Sequence, residues 1–166
     1  MSKAKGFTHD DANNISFDWY TPPWIFEQLG ITFGLDPCHP AERIPWIPAA
    51  TTYSLPQDGL ALPWSGRVWC NPPYGKHTPA WLKKMHEHRN GIALVFARTD
   101  CKWAHDYIFK ADAILFLSGR VKFVDGLGAT GGSGAGCGSM LAAWGDECVT
   151  ALRRLSDKGK FIGKHK

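Results

Sequence analysis

Hydrophobic and polar positions alternate along the chain in a pattern typical of an α/β protein. Strand-like apolar runs alternate with segments of helical periodicity. The predicted strands are ITFGLD, ATTYS, SGRVWC, GIALVFA, AILFLS and MLAAW, and the predicted helices include TPPWIFEQLG, TPAWLKKMHEHR and CKWAHDYIFK. A run that is apolar throughout, such as GIALVFA, is typical of a strand covered on both faces. We therefore expect a doubly wound sheet with helices on its two sides.

Local signals give some of these elements their expected ends. In TPPWIFEQLG, Thr21 is predicted as the N-cap, Pro22 and Pro23 lie in the first turn, and Gly30 follows the last residue. GRVKFV is predicted to add an edge strand, and a short helix is expected after MLAAW. The glycine-rich stretch 126–138 is predicted either to close over a ligand or to be a plain flexible connection.

The segment WCNPPYG has unusual chemistry for the end of a strand. Pro72 and Pro73 lack backbone donors and have a fixed φ, so the chain must leave the sheet at Asn71. What remains is a rigid loop that presents a carboxamide, carbonyl groups and the ring of Tyr74. Asp36 also follows a predicted strand, and ligands of open α/β sheets bind beyond the carboxyl ends of strands. We therefore expect Asp36 and Asn71 to face the same crevice.

Length and composition favour one folded unit. With 166 residues, of which 44% are hydrophobic, the chain can bury one sizeable core. No apolar run reaches the roughly 20 residues that span a bilayer, and no apolar segment follows the basic residues near the N-terminus. A cytoplasmic protein with no membrane partner is therefore expected. The predicted divisions are a flexible lead at 1–17, a domain at 18–155 and a basic tail at 156–166.

Cysteines and histidines do not indicate a metal centre. The five cysteines include no CxxC pair, which favours reduced thiols, and the seven histidines lack metal-ligand spacing. We expect no metal cofactor.

The basic residues are unevenly distributed. Up to Lys83 there are six Lys or Arg against seven Asp or Glu, and from Lys84 onward there are thirteen against eight. Cations that follow predicted strands suit contacts with a phosphate backbone, and surface solubility is the competing interpretation. The candidate nucleic-acid contacts are Arg98, Lys102, Arg120 and Lys122.

Several motifs together resemble one enzyme family. The tetrapeptide pattern (D/N/S)PP(Y/F/W) after a strand is the signature of S-adenosylmethionine-dependent methyltransferases that modify adenine N6, cytosine N4 or protein glutamine. From about Asp18 to Trp144 the chain is similar, more closely, to the phage-encoded DNA N6-adenine methyltransferases often labelled Dam-like. The segments that carry this resemblance are DWYTPPWIFEQL, FGLDPC, DGLALPWSGRVWCNPPYG and SGRVKF.

The resemblance implies a Rossmann-like methyltransferase sheet in a minimal version that has no separate target-recognition domain. It also implies the roles of individual residues. Asn71 and the Pro72 carbonyl would accept the hydrogens of adenine N6, Pro73 would hold them in place, and Tyr74 would stack on a base turned out of the DNA. The implied contacts of S-adenosylmethionine are Thr21, Pro22, Asp36, Pro37 and Asp58.

Other interpretations stay open at this point. The tetrapeptide alone does not separate adenine from cytosine or glutamine as the acceptor. The chain lacks the FxGxG turn of larger methyltransferases and has HPAERIP in that region, so a nucleic-acid-binding remnant without catalysis is a further alternative. Asp36 before Pro37 is also ordinary turn chemistry. For an active family member, the implied purpose is protection of phage DNA from host restriction nucleases.

Overall fold

The computed structural model of this protein describes residues 20–125, 128 and 135–163. Strands and helices alternate through most of this range, as the hydrophobic pattern predicts. The strands are β1 (Phe33–Asp36), β2 (Ala49–Thr52), β3 (Val68–Cys70), β4 (Gly91–Phe96), β5 (Ala113–Leu117), β6 (Ser139–Trp144) and β7 (Gly159–Gly163). The helices are α1 (Pro23–Leu29), α2 (Thr78–His88), α3 (Lys102–Asp106) and α4 (Asp146–Arg153), with short 3₁₀ turns at Ile108–Lys110 and Ser156–Lys158.

Within the described residues, seven strands form one mixed sheet in the order β2-β1-β3-β4-β6-β5-β7. The first four strands in this order are parallel to one another. Strand β6 runs antiparallel to β4 and β5, and β7 runs antiparallel to β5. The chain steps from β1 to β2 on one side and then places β3 on the other side of β1. The strand order therefore reverses between β1 and β3.

Helices cover both faces of this sheet. Helices α1 and α4 pack on one face, where Phe26 and Leu152 contact the buried Trp69 and Leu141 cluster. Helices α2 and α3 pack on the other face of the sheet, where Trp81 and its neighbours cover β3, β4 and β6. Both faces of β4 are consequently buried, which explains its unbroken apolar sequence. The prediction of an α/β sheet with helices on two sides is confirmed.

The start of α1 differs from its prediction. Pro22, and not Thr21, holds the N-cap position, with an extended backbone at φ −66° and ψ 147°. A residue that precedes a proline is kept out of the helical region by a clash with the proline ring, so the helix begins at Pro23. Gly30 follows the helix, as predicted, and adopts the left-handed conformation.

Two predictions about the second half of the chain are wrong. GRVKFV is not an edge strand, because β6 and β7 occupy the two sides of β5, and Val124 makes only an isolated bridge to Tyr20. Residues 159–163 of the predicted basic tail belong to the sheet as β7. The predicted lead at 1–17 and most of the glycine-rich stretch 126–138 lie outside the described residues.

A turn at Gly59 connects α2 with the segment that follows β1. The Lys84 ammonium donates hydrogen bonds to the carbonyls of Gly59, Leu60 and Leu62 at 3.3, 2.7 and 2.5 Å. It also lies 5.1 Å from the centre of the Trp64 ring, and its burial lowers the pKa of Lys84. Gly59 itself is pressed against the carbonyl of Pro37. Helix α2 thus supports the turn after β1 indirectly: Lys84 holds the Gly59 turn, and Gly59 contacts Pro37.

Among the described residues, no helix has the length and apolarity that would be needed to cross a membrane.

We predict that Gly59→Ala destabilises the fold. A Cβ atom at Gly59 would lie 1.9 Å from the Pro37 carbonyl oxygen and 2.9 Å from the Trp81 ring, so the segment of Gly59 or its neighbours must shift. Overpacking of this kind costs about 1–3 kcal/mol, measurable by urea unfolding. Gly136→Ala is the matched control because no atom lies within 4 Å of its Cβ position. Equal stability of the two variants would contradict the packing.

Candidate active site

Asp36 and Asn71 lie at the carboxyl ends of the two strands that flank the reversal in strand order. Asp36 ends β1, and Asn71 is the first residue after β3. These strands are parallel neighbours, so both ends lie at the same edge of the sheet. This edge is where open α/β sheets form ligand crevices, because the connections on the two sides of a reversal separate there.

A pocket of about 230 Å³ is present between these two strand ends. Its lining comes from the segment before α1, the turn after β1 and the loop after β3. The lining residues are Tyr20, Thr21, Asp36, Cys38, Pro40, Ile47, Trp69, Asn71, Pro72, Pro73 and Tyr74. Asp36 is the one carboxylate in that set, and no Lys or Arg is among the described lining residues. The prediction that Asp36 and Asn71 share a crevice is confirmed.

Asp36 organises the turn that follows β1. It is only 3% exposed. Its Oδ1 accepts the backbone N–H of Cys38 at 3.2 Å, and its Oδ2 lies 2.7 Å from Nδ1 of His39. The other ring nitrogen of His39, Nε2, accepts the backbone N–H of Ile44 at 3.1 Å. Nε2 therefore carries no proton, and Nδ1–H donates to Asp36. The turn role considered for Asp36 is thus present, and the same carboxylate lines the pocket.

Asn71 is held by a residue of its own loop and by residues of two other segments. The Tyr74 hydroxyl donates to Oδ1 of Asn71 at 3.2 Å, and Nδ2 of Asn71 donates to the Thr21 hydroxyl at 3.4 Å. The backbone carbonyl of Asn71 accepts the Cys38 thiol at 3.3 Å. In this arrangement Oδ1 of the carboxamide faces Tyr74 and Nδ2 faces Thr21. Because a carbonyl oxygen has two lone pairs, Oδ1 can accept one further hydrogen bond from a ligand.

The buried hydroxyl of Thr78 closes the NPPYG loop. It donates to the Pro73 carbonyl at 2.9 Å and accepts the backbone N–H of Gly75 at 3.1 Å. Gly75 adopts a φ of 124°, which side chains disfavour. Thr78 is 4% exposed and begins α2, so the loop is tied to a helix that packs on the sheet. The loop is rigid for this reason as well as for its prolines.

The environment keeps Tyr74 and Cys38 in their neutral forms. Burial raises the pKa of the Tyr74 hydroxyl well above its usual value, and the nearby thiols of Cys137, Cys38 and Cys70 add to the shift. The residue as a whole is still 40% exposed. The contact with Cys70, at 3.8 Å between sulfurs, and burial raise the pKa of the Cys38 thiol. Both groups thus act as hydrogen-bond donors at neutral pH.

The remaining predicted cofactor contacts, Pro22, Pro37 and Asp58, are not among the residues that line the pocket. Pro22 is the N-cap of α1, and the carbonyl of Pro37 contacts Gly59. The Asp58 side chain is exposed, and its Oδ1 accepts the backbone N–H of Leu60 at 2.9 Å. The roles of these three residues stay predictions.

The predicted nucleic-acid contacts are exposed and lie in loops or at a helix start beyond the strands. Arg98 follows β4, and Lys122 lies between β5 and the bridge that Val124 makes to the pocket residue Tyr20. Arg120 donates to the Ala135 carbonyl at 2.8 Å. Lys102 pairs with Asp106 at 2.5 Å, which raises the pKa of Lys102. The roles of all four as nucleic-acid contacts stay predictions.

Sequence reasoning missed His39, Thr78 and Cys38 as supports of the site. The lack of metal-ligand spacing among the histidines gives His39 no predicted role, whereas the structure pairs His39 with Asp36. Its position three residues after Asp36, in a turn, was a usable signal. Thr78 follows a glycine by three residues at the start of a helix, a spacing that suits a turn closed by a hydroxyl. The Cys38 contact depends on chain segments that are distant in sequence.

A family model described as DNA N-6-adenine-methyltransferase (Dam) matches residues 10–158. No curated protein and no solved structure matches the chain. The family match covers most of the chain and includes the whole pocket. The chain therefore belongs to the DNA N-6-adenine-methyltransferase (Dam) family.

We predict that His39→Ala lowers stability by about 3 kcal/mol, because it leaves a buried oxygen of Asp36 without its donor. His39→Asn is expected to restore part of this loss, since its amide N–H can replace Nδ1–H. Urea unfolding measures both variants. His105→Ala, at an exposed histidine whose ring contacts the Thr99 carbonyl, is the control and should change stability little. Equal losses for alanine and asparagine at 39 would argue against the Asp36 contact.

Proposed function

We propose that this protein transfers a methyl group from S-adenosylmethionine to the N6 amine of an adenine in DNA, directly and with the base turned out of the double helix. The observation that carries the proposal is the Asn71 carboxamide. It is held at the pocket by contacts from Thr21 and Tyr74, and its oxygen retains an acceptor site. Membership of the Dam family supports DNA adenine as the substrate class. We also assign the sheet to the Rossmann-like methyltransferase type, which the reversal between β1 and β3 supports.

The pocket residues suit the proposed cofactor. S-adenosylmethionine, when bound, supplies an electrophilic methyl group on a positively charged sulfur. Asp36 gives the pocket a negative charge, and the described lining residues contribute no competing cation. Trp69, Ile47 and Pro40 give it an apolar wall. The pocket volume of about 230 Å³ is below the usual range for small-molecule sites, so the pocket would enclose only part of a ligand of this size.

Asn71 and Pro72 would activate the nucleophile. Adenine N6 is weakly nucleophilic because its lone pair is delocalised into the ring. Acceptors at Oδ1 of Asn71 and at the Pro72 carbonyl would hold both N6 hydrogens and favour the tetrahedral nitrogen that develops during transfer. Thr78 and the two prolines keep these acceptors from relaxing. In this mechanism neither a catalytic cysteine nor a covalent enzyme intermediate takes part.

The base would reach Asn71 by stacking on the exposed ring of Tyr74. Turning a base out of the helix costs a few kcal/mol, and stacking on an aromatic ring recovers about 1–3 kcal/mol. Hydrogen bonds to the edge of the base would offset the remaining cost of turning it out. Arg98 and Lys122 would then hold phosphates beside the displaced nucleotide.

We predict that the purified protein, incubated with S-adenosylmethionine and unmethylated DNA, produces N6-methyladenine detectable by mass spectrometry of the nucleosides. Asn71→Ala is expected to lower the rate at least about a hundredfold, because one transition-state acceptor is lost. Asn90→Ala is the matched control. It makes the same change just before the amino end of β4, away from the carboxyl ends of the strands, and the variant should keep the activity of the wild type.

The other outcomes of this experiment have distinct meanings. N4-methylcytosine would keep the mechanism and change the substrate. Methylation of protein glutamine, with no modified base, would replace DNA as the partner. Neither product, together with no heat and no thermal shift on adding S-adenosylmethionine, would favour a nucleic-acid-binding remnant and reject the proposal.

We further predict that Lys122→Ala weakens DNA binding and reduces the salt dependence of binding by about one unit in the slope of log K against log salt. Lys83→Ala is the matched control, since Lys83 is an exposed lysine on α2 that pairs with Glu87. Fluorescence anisotropy at several salt concentrations measures both. If the two variants lose the same affinity and slope, Lys122 has no specific contact with the backbone.

A further inference from the structure

Tyr74 stacks on a second aromatic ring that the proposed mechanism does not use. The rings of Tyr74 and Phe96 are nearly parallel, with 9° between their planes and 3.9 Å between their centres. One face of Tyr74 is thus covered by Phe96. Tyr74 is nevertheless 40% exposed, so Phe96 does not enclose it.

Phe96 is held by the pairing of β4 with β6. It is the last residue of β4 and pairs with Ser139 across the antiparallel ladder. The next residue, Ala97, donates its N–H to the Gly138 carbonyl at 2.8 Å, which extends the pairing past the strand end. Tyr74, in contrast, belongs to a loop. The ring of Phe96 therefore provides a fixed surface against which the loop residue is oriented.

We propose that Phe96 is a positioning residue that holds the Tyr74 ring in place so that the target base stacks on the opposite, exposed face. This inference rests on the proposed function and assigns to it a residue outside the pocket lining. The resulting order is Phe96, Tyr74, base, with the Tyr74 hydroxyl bonded to Asn71. One stack then fixes both the base plane and the acceptor that contacts its amine.

Insertion of the base between the two rings is disfavoured by the same geometry. Two stacked contacts would need a separation of about 7 Å between the rings, since each contact takes about 3.5 Å. Tyr74 would have to move by several ångströms and release its hydrogen bond to Oδ1 of Asn71. Stacking on the exposed face requires no such movement.

Phe96→Leu tests the proposal because leucine keeps an apolar side chain but removes the flat surface. We expect a three- to tenfold lower rate of adenine methylation in single turnover, which corresponds to the loss of one aromatic pair. DNA containing 2-aminopurine at the target position should lose part of its quenched, stacked fluorescence component in the complex. Affinity for S-adenosylmethionine should not change, because Phe96 does not line the pocket.

Two companion variants separate positioning from general packing. Phe116→Leu is the matched control, since Phe116 is also half-buried but packs on the other face of the sheet. It should leave the 2-aminopurine signal unchanged. Phe96→Tyr keeps the flat ring and should keep most of the rate.

A double-mutant cycle with Tyr74→Leu decides whether Phe96 acts through Tyr74. The cycle is measured on 2-aminopurine stacking, which needs no methyl transfer. If Phe96 only positions Tyr74, Phe96→Leu has almost no further effect once Tyr74 is leucine. Additive losses would mean that the base contacts Phe96 directly and would overturn the proposal, as would a full rate in Phe96→Leu. A wild-type protein that methylates no DNA would instead reject the proposed function, and this inference with it.

Discussion

The hydrogen bonds of Asn71 connect the segments on which the candidate site depends. Its side chain contacts Thr21, from the segment before α1, and Tyr74, from its own loop, while its backbone carbonyl accepts the Cys38 thiol. Two prolines follow it and supply no backbone donors, so the loop can form few backbone hydrogen bonds of its own. Thr78 provides the remaining anchor by closing the loop against α2. A rigid carboxamide at the end of β3 is the result.

The turn after β1 achieves its shape without a glycine-rich sequence. A glycine-rich turn depends on backbone freedom, whereas this one depends on a buried histidine that joins Asp36 to the N–H of Ile44. A neutral imidazole with one donor and one acceptor satisfies both groups, which would otherwise be costly to bury. The absence of FxGxG from the sequence is therefore no sign that the turn is missing. Gly59 and Lys84 support the same turn from α2.

The aromatic pair of Phe96 and Tyr74 extends this arrangement to the next strand. The ends of β1, β3 and β4 each contribute one element of the site: the carboxylate of Asp36, the carboxamide of Asn71 and the ring of Phe96. Parallel pairing of β1 with β3 and of β3 with β4 brings these three ends to one side of the sheet, although Asp36 and Phe96 are sixty positions apart in sequence. The site is thus a property of the sheet edge and not of a single loop.

The sequence by itself determined the alternation of strands and helices, the exit of the chain at Asn71 and the common crevice of Asp36 and Asn71. These features depend on apolar periodicity and on the fixed φ of proline, which are local. Only the tertiary structure decided that residues 159–163 complete the sheet, that His39 closes the turn of Asp36 and that Phe96 covers Tyr74. Each of these depends on which strands lie side by side or on how a chain folds back on itself. Such choices are made by the packing of the whole sheet, because the free energy of a distant contact is not encoded in the residues around either partner.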